Sequence, residues 1–150
     1  MRKKYHLEII KRHPLNPIIT REDVPYHCNT VFNAAACKCK DEYLLLLRIE
    51  DFEGKSHLTL AHSHDGLDFR VDKRPWIEPS KDPYFEPYER FGIEDPRITP
   101  LDGRYYITYT AYGPYGVRVG LGVTEDFKEF KRISLTTDVD NKDGVLFPER

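Results

Sequence analysis

Two stretches of this 150-residue chain repeat each other at a fixed offset of 61 residues: Asp41 with Asp102, Ser63 with Thr124, Asp65 with Asp126 and Phe69 with Phe130. In the first stretch, Asp41-Glu42-Tyr43-Leu44-Leu45-Leu46 precedes the run from Ser56 to Phe69; in the second, Asp102-Gly103-Arg104-Tyr105-Tyr106-Ile107 precedes the run from Val117 to Phe130. A repeat of this length is one supersecondary unit that cannot bury its apolar face alone and must stack on a neighbour. Each unit offers four strands: one before the Asp turn, one after it, one ending in Ser/Thr-x-Asp, and a short one carrying Phe. The Ser/Thr-x-Asp turn has a physical rationale, because short polar side chains bond nearby backbone N–H groups and fix a hairpin. Tandem four-stranded units of this kind predict the blades of a β-propeller, with the Phe packed between neighbours.

The strand signals agree. Val31–Cys37, Tyr43–Ile49, Leu58–Ala61, Ile93–Thr99, Tyr105–Ala111 and Val117–Val123 carry many β-branched or aromatic residues and are separated by turn residues such as Glu53-Gly54 and Asp65-Gly66. Leu44 to Leu47 is apolar throughout, which in a run this short predicts a strand buried on both faces. Helix signals are scarce; the best, Glu125–Phe130, reads better as a strand-connecting turn. The fold class is therefore all-β, arranged as an N-terminal segment (1–29), a first unit (30–71), an insertion (72–91), a second unit (92–133) and a connection (134–150). The insertion carries Pro75, Pro79, Pro83 and Pro87 among Trp76, Tyr84, Phe85 and Tyr88, so it is a stiff aromatic excursion, either functional or a packed arm. Phe147-Pro148-Glu149-Arg150 resembles the opening of a third unit, so an incomplete propeller is expected.

In a propeller the first strand of each blade lines the axis, and matching residues on those strands form a ring. Asn33 and Asp95 occupy matching positions 62 residues apart and are expected to meet there. Strand alternation places Arg97 on the face of Asp95 and turns Glu94 the other way. Pro96 lacks a ladder donor and suits the end or edge of a strand. An Asp between Glu94 and Arg97 serves either as a general acid or as half of a structural ion pair.

These residues resemble glycoside hydrolase family 130, the mannoside phosphorylases and related β-mannosidases. The resembling elements are Asn16-Pro17-Ile18-Ile19, Phe32-Asn33-Ala34-Ala35, the strand ending in Arg48, Ser63-His64-Asp65-Gly66-Leu67-Asp68-Phe69, Ile93-Glu94-Asp95-Pro96-Arg97 with the later Tyr109-Thr110-Ala111, and Asn141 to Glu149. The resemblance implies a five-bladed propeller with an axial sugar site, of which this chain would be the N-terminal half, about two and a half blades. It makes Asp95 the catalytic acid of an inverting reaction, acting through a sugar hydroxyl as relay. The attacking group is inorganic phosphate in the phosphorylases and water in the hydrolases. Asn33 matches a mannosyl contact, and Arg48 and Arg97 are candidates for sugar, phosphate or Asp95 contacts. Lys142 and Arg150 are further cations near the chain end. The expected partners are a β-linked manno-oligosaccharide or mannosyl sugar and phosphate as co-substrate, with no cofactor; a sugar-binding fragment without catalysis is the alternative from another class. A homo-oligomer is possible, since two such pieces would close a ring.

Composition narrows the rest. Lys+Arg number 23 and Asp+Glu 25, a net charge of 23 − 25 = −2, which offers no basic stripe for nucleic acid. The longest apolar run, Tyr43 to Leu47, is too short to span a membrane, and the basic Met1-Arg2-Lys3-Lys4 is followed by no apolar leader segment. Three cysteines are too few for a disulfide scaffold and favour a reducing, cytoplasmic setting. Cys37-x-Cys39 and His62-x-His64 each share a strand face, yet neither has zinc-knuckle spacing, and no metal is expected. Gly120-x-Gly122 lacks the third glycine and the helix of a dinucleotide motif.

Overall fold

The computed structural model describes residues 10–149. Its strands fall into two antiparallel meanders, β1 (Thr30–Cys39), β2 (Glu42–Glu50), β3 (Ser56–Ser63) and β4 (Arg70–Val71), then β5 (Gly92–Leu101), β6 (Arg104–Gly113), β7 (Gly116–Thr124) and β8 (Lys131–Leu135). The meanders touch edge to edge through one parallel pairing, Ser56 with Gly92. A Cβ on residue 92 would stand 2.8 Å from the Ser56 backbone nitrogen, and φ is +139°, so only glycine lets the two units approach this closely.

The leucine run of β2 is apolar throughout because both faces are covered. Leu44 and Leu46, with Leu58 and Leu60 of β3, pack against Ile93, Ile107, Tyr109 and Ala111 of the second unit. Leu47 and Ile49 point the other way, onto Val24 and Cys28 of the N-terminal segment together with Ala61 and Val71. Arg48 belongs by alternation to the face that carries Leu44 and Leu46, so the strand that builds the inter-unit core also aims a cation at the second unit.

The repeated turns use the same chemistry. Ser63 Oγ accepts the Gly66 N–H at 2.9 Å, and Thr124 Oγ1 accepts the Phe127 N–H at 3.0 Å. Asp65 and Asp126 then take backbone N–H groups two residues on. The backbone N–H groups of Asp68 and Leu67, and after them the Ser63 hydroxyl, donate to Asp65 and hold its carboxyl down at about 2. Gly66 and Phe127 both have positive φ. The expected inter-unit phenylalanine is accordingly only part of the packing: Phe127 is the more buried ring, against Trp76 and Tyr105, with Phe130 beside it and Phe69 on the N-terminal side.

The insertion is a packed arm. Ile77 bridges to Leu58, Trp76 lies against Phe127 and Phe130, and one short helix, α1 (Glu86–Glu89), follows where no helix was expected. The fully buried Glu89 of α1 accepts from Tyr109 and from Arg132 of β8, fastening the arm to the second unit. Gly120 and Gly122 also have a packing role, since a Cβ at either would run into the Tyr109 or Phe130 ring. Among the described residues no helix is long and apolar enough to cross a membrane.

Candidate active site

The first strands of the two units, β1 and β5, are interrupted in the same way. The pairing of β1 with β2 skips between Phe32 and Ala35, and that of β5 with β6 skips between Glu94 and Arg97. Each bulge frees two residues from the ladder, Asn33 with Ala34 and Asp95 with Pro96, and bulges re-aim side chains. Pro96 is therefore buried inside a strand, where an edge was expected; the bulge already leaves that position without a ladder bond, so its missing N–H costs nothing.

The two bulges face each other. Asn33 Nδ2 donates to Asp95 Oδ1 at 2.9 Å, and Arg48 Nη1 donates to the same oxygen at 3.0 Å. Arg48 Nη2 reaches Glu94 Oε1 at 2.8 Å, its Nε donates to Ser56 Oγ at 2.9 Å, and its guanidinium lies 4.8 Å from the Phe32 ring centre. Lys142 Nζ stands 3.9 Å from Asp95 Oδ2. It is carried there by the 136–149 segment, which is tied across the second unit by Thr108 Oγ1 to the Gly144 carbonyl and Thr99 Oγ1 to that of Leu146.

Two expectations from strand alternation fail here. Glu94 does not turn away from Asp95; both carboxylates meet Arg48. Arg97 does not pair with the Asp95 side chain; its Nη1 donates to the carbonyls of Asp95 and Pro96, and its Nη2 lies 3.5 Å from Asp143 Oδ1. The reason is φ of +48° at Asp95, which breaks the two-residue period that alternation assumes. Glu94, Ser56 and Asp143 are thus site neighbours that the sequence reading did not select. The Pro inside an otherwise strand-like Ile-Glu-Asp-Pro-Arg-Ile run is the signal for a bulge. Arg150 lies outside the described residues.

Asp95 is 6% exposed. Burial pushes its pKa up, but hydrogen bonds from Asn33 and Arg48 and the charges of Arg48 and Lys142 outweigh it and leave the carboxyl below its ordinary value. Glu94 moves the opposite way: burial raises it, the Asp95 charge adds to the rise, and Arg48 and Lys142 only partly oppose. Two adjacent carboxyls thus share one guanidinium and shift in opposite directions. Among the described residues no three His, Cys, Asp or Glu side chains are grouped to hold a metal ion. A groove of about 710 Å³ runs along β1 and includes Asn33 in its lining with Phe32, Pro17 and Ile18.

A family model described as beta-1,4-mannooligosaccharide phosphorylase matches residues 1–149. The chain belongs to glycoside hydrolase family 130. Among family relatives, a 1,2-beta-oligomannan phosphorylase of Thermoanaerobacter is 34% identical over 131 residues, which is 80% of this chain and 42% of that protein. A beta-1,2-mannobiose phosphorylase of Listeria innocua is 34% identical over 95 residues, 63% of this chain and 25% of its own length. The solved structure of the Listeria innocua beta-1,2-mannobiose phosphorylase with beta-1,2-mannobiose superposes with a TM-score of 0.79 at 25% identity, covering 93% of this chain and 54% of that one. A further family 130 structure, described with glycoside hydrolases that target beta-1,2 mannosidic linkages, gives a TM-score of 0.75 at 27% identity, covering 83% of this chain and 40% of that one. The chain spans less than half the length of the curated relatives it matches. The all-β architecture of the described residues agrees with these family 130 structures.

Proposed function

We propose that this chain forms the acid side of a β-mannoside phosphorylase site, releasing mannose 1-phosphate with inversion, within a five-bladed propeller completed by further units. The observation that carries this reading is the asymmetry of Asp95: Oδ1 is held by Asn33 and Arg48, while Oδ2 faces Lys142 at 3.9 Å. A carboxyl held by one oxygen and open at the other has a defined direction in which to pass a proton.

In the reaction, a phosphate oxygen bonds to the anomeric carbon from the face opposite the leaving group, and the bond from that carbon to the glycosidic oxygen breaks. The leaving oxygen takes the proton that Asp95 supplies, through a sugar hydroxyl as the family resemblance implies. Phosphate is already anionic, so it needs cations to position it more than a base to activate it. Lys142 and Arg48 are the nearby cations. Their charges help to keep Asp95 ionised; a phosphate dianion beside them offsets that effect and raises the proton affinity of Asp95. Asn33 is the mannosyl contact, and Arg97, turned to Asp143, shapes the rim.

The names of the relatives favour phosphorolysis, and the hydrolases in the same family make hydrolysis the second reading. Incubation with β-linked manno-oligosaccharides, with and without phosphate, separates them. Mannose 1-phosphate formed only with phosphate is the expected outcome. Free mannose released at the same rate without phosphate would overturn the phosphorylase reading, and no turnover by a protein carrying the complete propeller would overturn the enzymatic one.

A further inference from the structure

Arg48 is shared. A guanidinium that meets a single carboxylate usually grips both of its oxygens in a fork. Asp95 receives only one bond from Arg48, to Oδ1, because Nη2 is committed to Glu94 Oε1 at 2.8 Å. The shared arrangement is firmly built: Nε is held by the buried Ser56 and the guanidinium plane by Phe32. Glu94 reaches Arg48 only because the bulge between Glu94 and Arg97 brings two consecutive side chains to the same cation.

We infer that Glu94 is a positioning residue: it draws off one arm of Arg48, so that Arg48 makes a single bond to Asp95 and leaves Asp95 Oδ2 open to carry and deliver the proton. This deepens the reading of Asp95 as the acid and rests on it. Without Glu94, the freed Nη2 turns to Asp95 Oδ2 and closes the fork over the oxygen that has to work. The charged groups around the pair are Arg48 from β2, Lys142 from the 136–149 segment, and Glu50 toward Glu94; Arg97 and Asp143 pair with each other on the backbone side of Asp95. Asn33 of β1 contributes a neutral donor.

Two substitutions in the full chain separate reach from charge. Glu94→Gln keeps an oxygen able to accept from Arg48 and removes the charge; Glu94→Asp keeps the charge and falls one methylene short. The Asp95 carboxyl carbon is followed by NMR through an acid titration, with Asp95→Asn to assign it, and the basic limb of the kcat/KM pH profile is followed where turnover is measured. Glu94→Asp is expected to lower the Asp95 midpoint by about half a pH unit or more, as a closed fork should, while Glu94→Gln stays close to wild type. Glu94→Ala, which also lacks reach, must move the midpoint in the same direction as Glu94→Asp and stands in if that variant does not fold. A shift in Glu94→Gln with none in Glu94→Asp would mean charge alone acts; no shift in any variant, with only the melting temperature reduced, would mean a structural role. Either result overturns the proposal. If the wild-type protein makes no mannose 1-phosphate but the midpoints move as expected, the phosphorylase reading falls and the positioning of Arg48 stands.

Discussion

Arg132 donates to both carboxylate oxygens of Glu89, at 2.9 and 2.8 Å, and Tyr109 donates to one of them at 2.7 Å. Glu89 comes from the insertion, Arg132 from β8 and Tyr109 from β6, so this buried cluster joins three parts of the chain. Glu89→Gln keeps the shape but leaves Arg132 mostly buried without its counter-charge, which costs roughly 3–5 kcal/mol for a pair of this kind. Urea unfolding should show a lower midpoint with an unchanged slope. A loss below about 1 kcal/mol would place the pair with surface ion pairs.

Asp95→Asn keeps the hydrogen-bonding outline of the site and removes the proton. On the proposed phosphorolysis with Asp95 as its acid, release of mannose 1-phosphate by a protein carrying the complete propeller falls by about 10²–10⁴-fold, the usual worth of a general acid. Far-UV circular dichroism and the melting temperature should remain those of a folded chain. Undiminished release would mean that another group supplies the proton.

His57 accepts or donates at Tyr26 Oη over 3.0 Å and helps to hold the N-terminal segment on β3. Burial lowers its pKa below 6.5, against the opposing charges of Asp51 and Glu78. A histidine with a lowered folded-state pKa binds its proton more readily when unfolded. Stability therefore falls as pH drops from about 6.5 toward the folded-state value and levels off below it. Unfolding midpoints measured across that interval should show this slope, and His57→Gln should flatten it. An unchanged slope in the variant would assign the effect to another group.

Phe127 sits at φ of +60°, where a phenylalanine is strained, yet its ring is buried against Trp76 and Tyr105. Relieving the backbone by Phe127→Gly returns roughly 1–2 kcal/mol, while removing a buried phenyl ring costs about 3–5 kcal/mol. Burial wins, and the variant is expected to be less stable by about 2 kcal/mol in chemical denaturation. A more stable variant would show that backbone strain dominates at this turn.

Much of this molecule was legible in one dimension. The 61-residue offset carried the pairing of Ser63 with Thr124 and Asp65 with Asp126, whose side chains make matching turn bonds because turn chemistry is local. The leucines of β2 announced a strand covered on both sides, and matching positions in the repeat brought Asn33 to Asp95. What lay beyond reach depended on contacts between distant segments. Glu89 in the proline-rich insertion has no local pattern that names Arg132 or Tyr109 as its partners. Lys142 reaches Asp95 only because the 136–149 segment is laid over the second unit.

The sequence by itself determined the class, the family and the identity of the central carboxylate, since these follow from periodicity, turn residues and motif. The tertiary structure alone decided which side chains meet that carboxylate. Alternation puts Glu94 and Asp95 on opposite faces, and a positive φ at Asp95 within a bulge turns both to one arginine. The partners that the turned side chain meets, Asn33 and Arg48, come from the other unit, and so no local rule read along the strand could supply them.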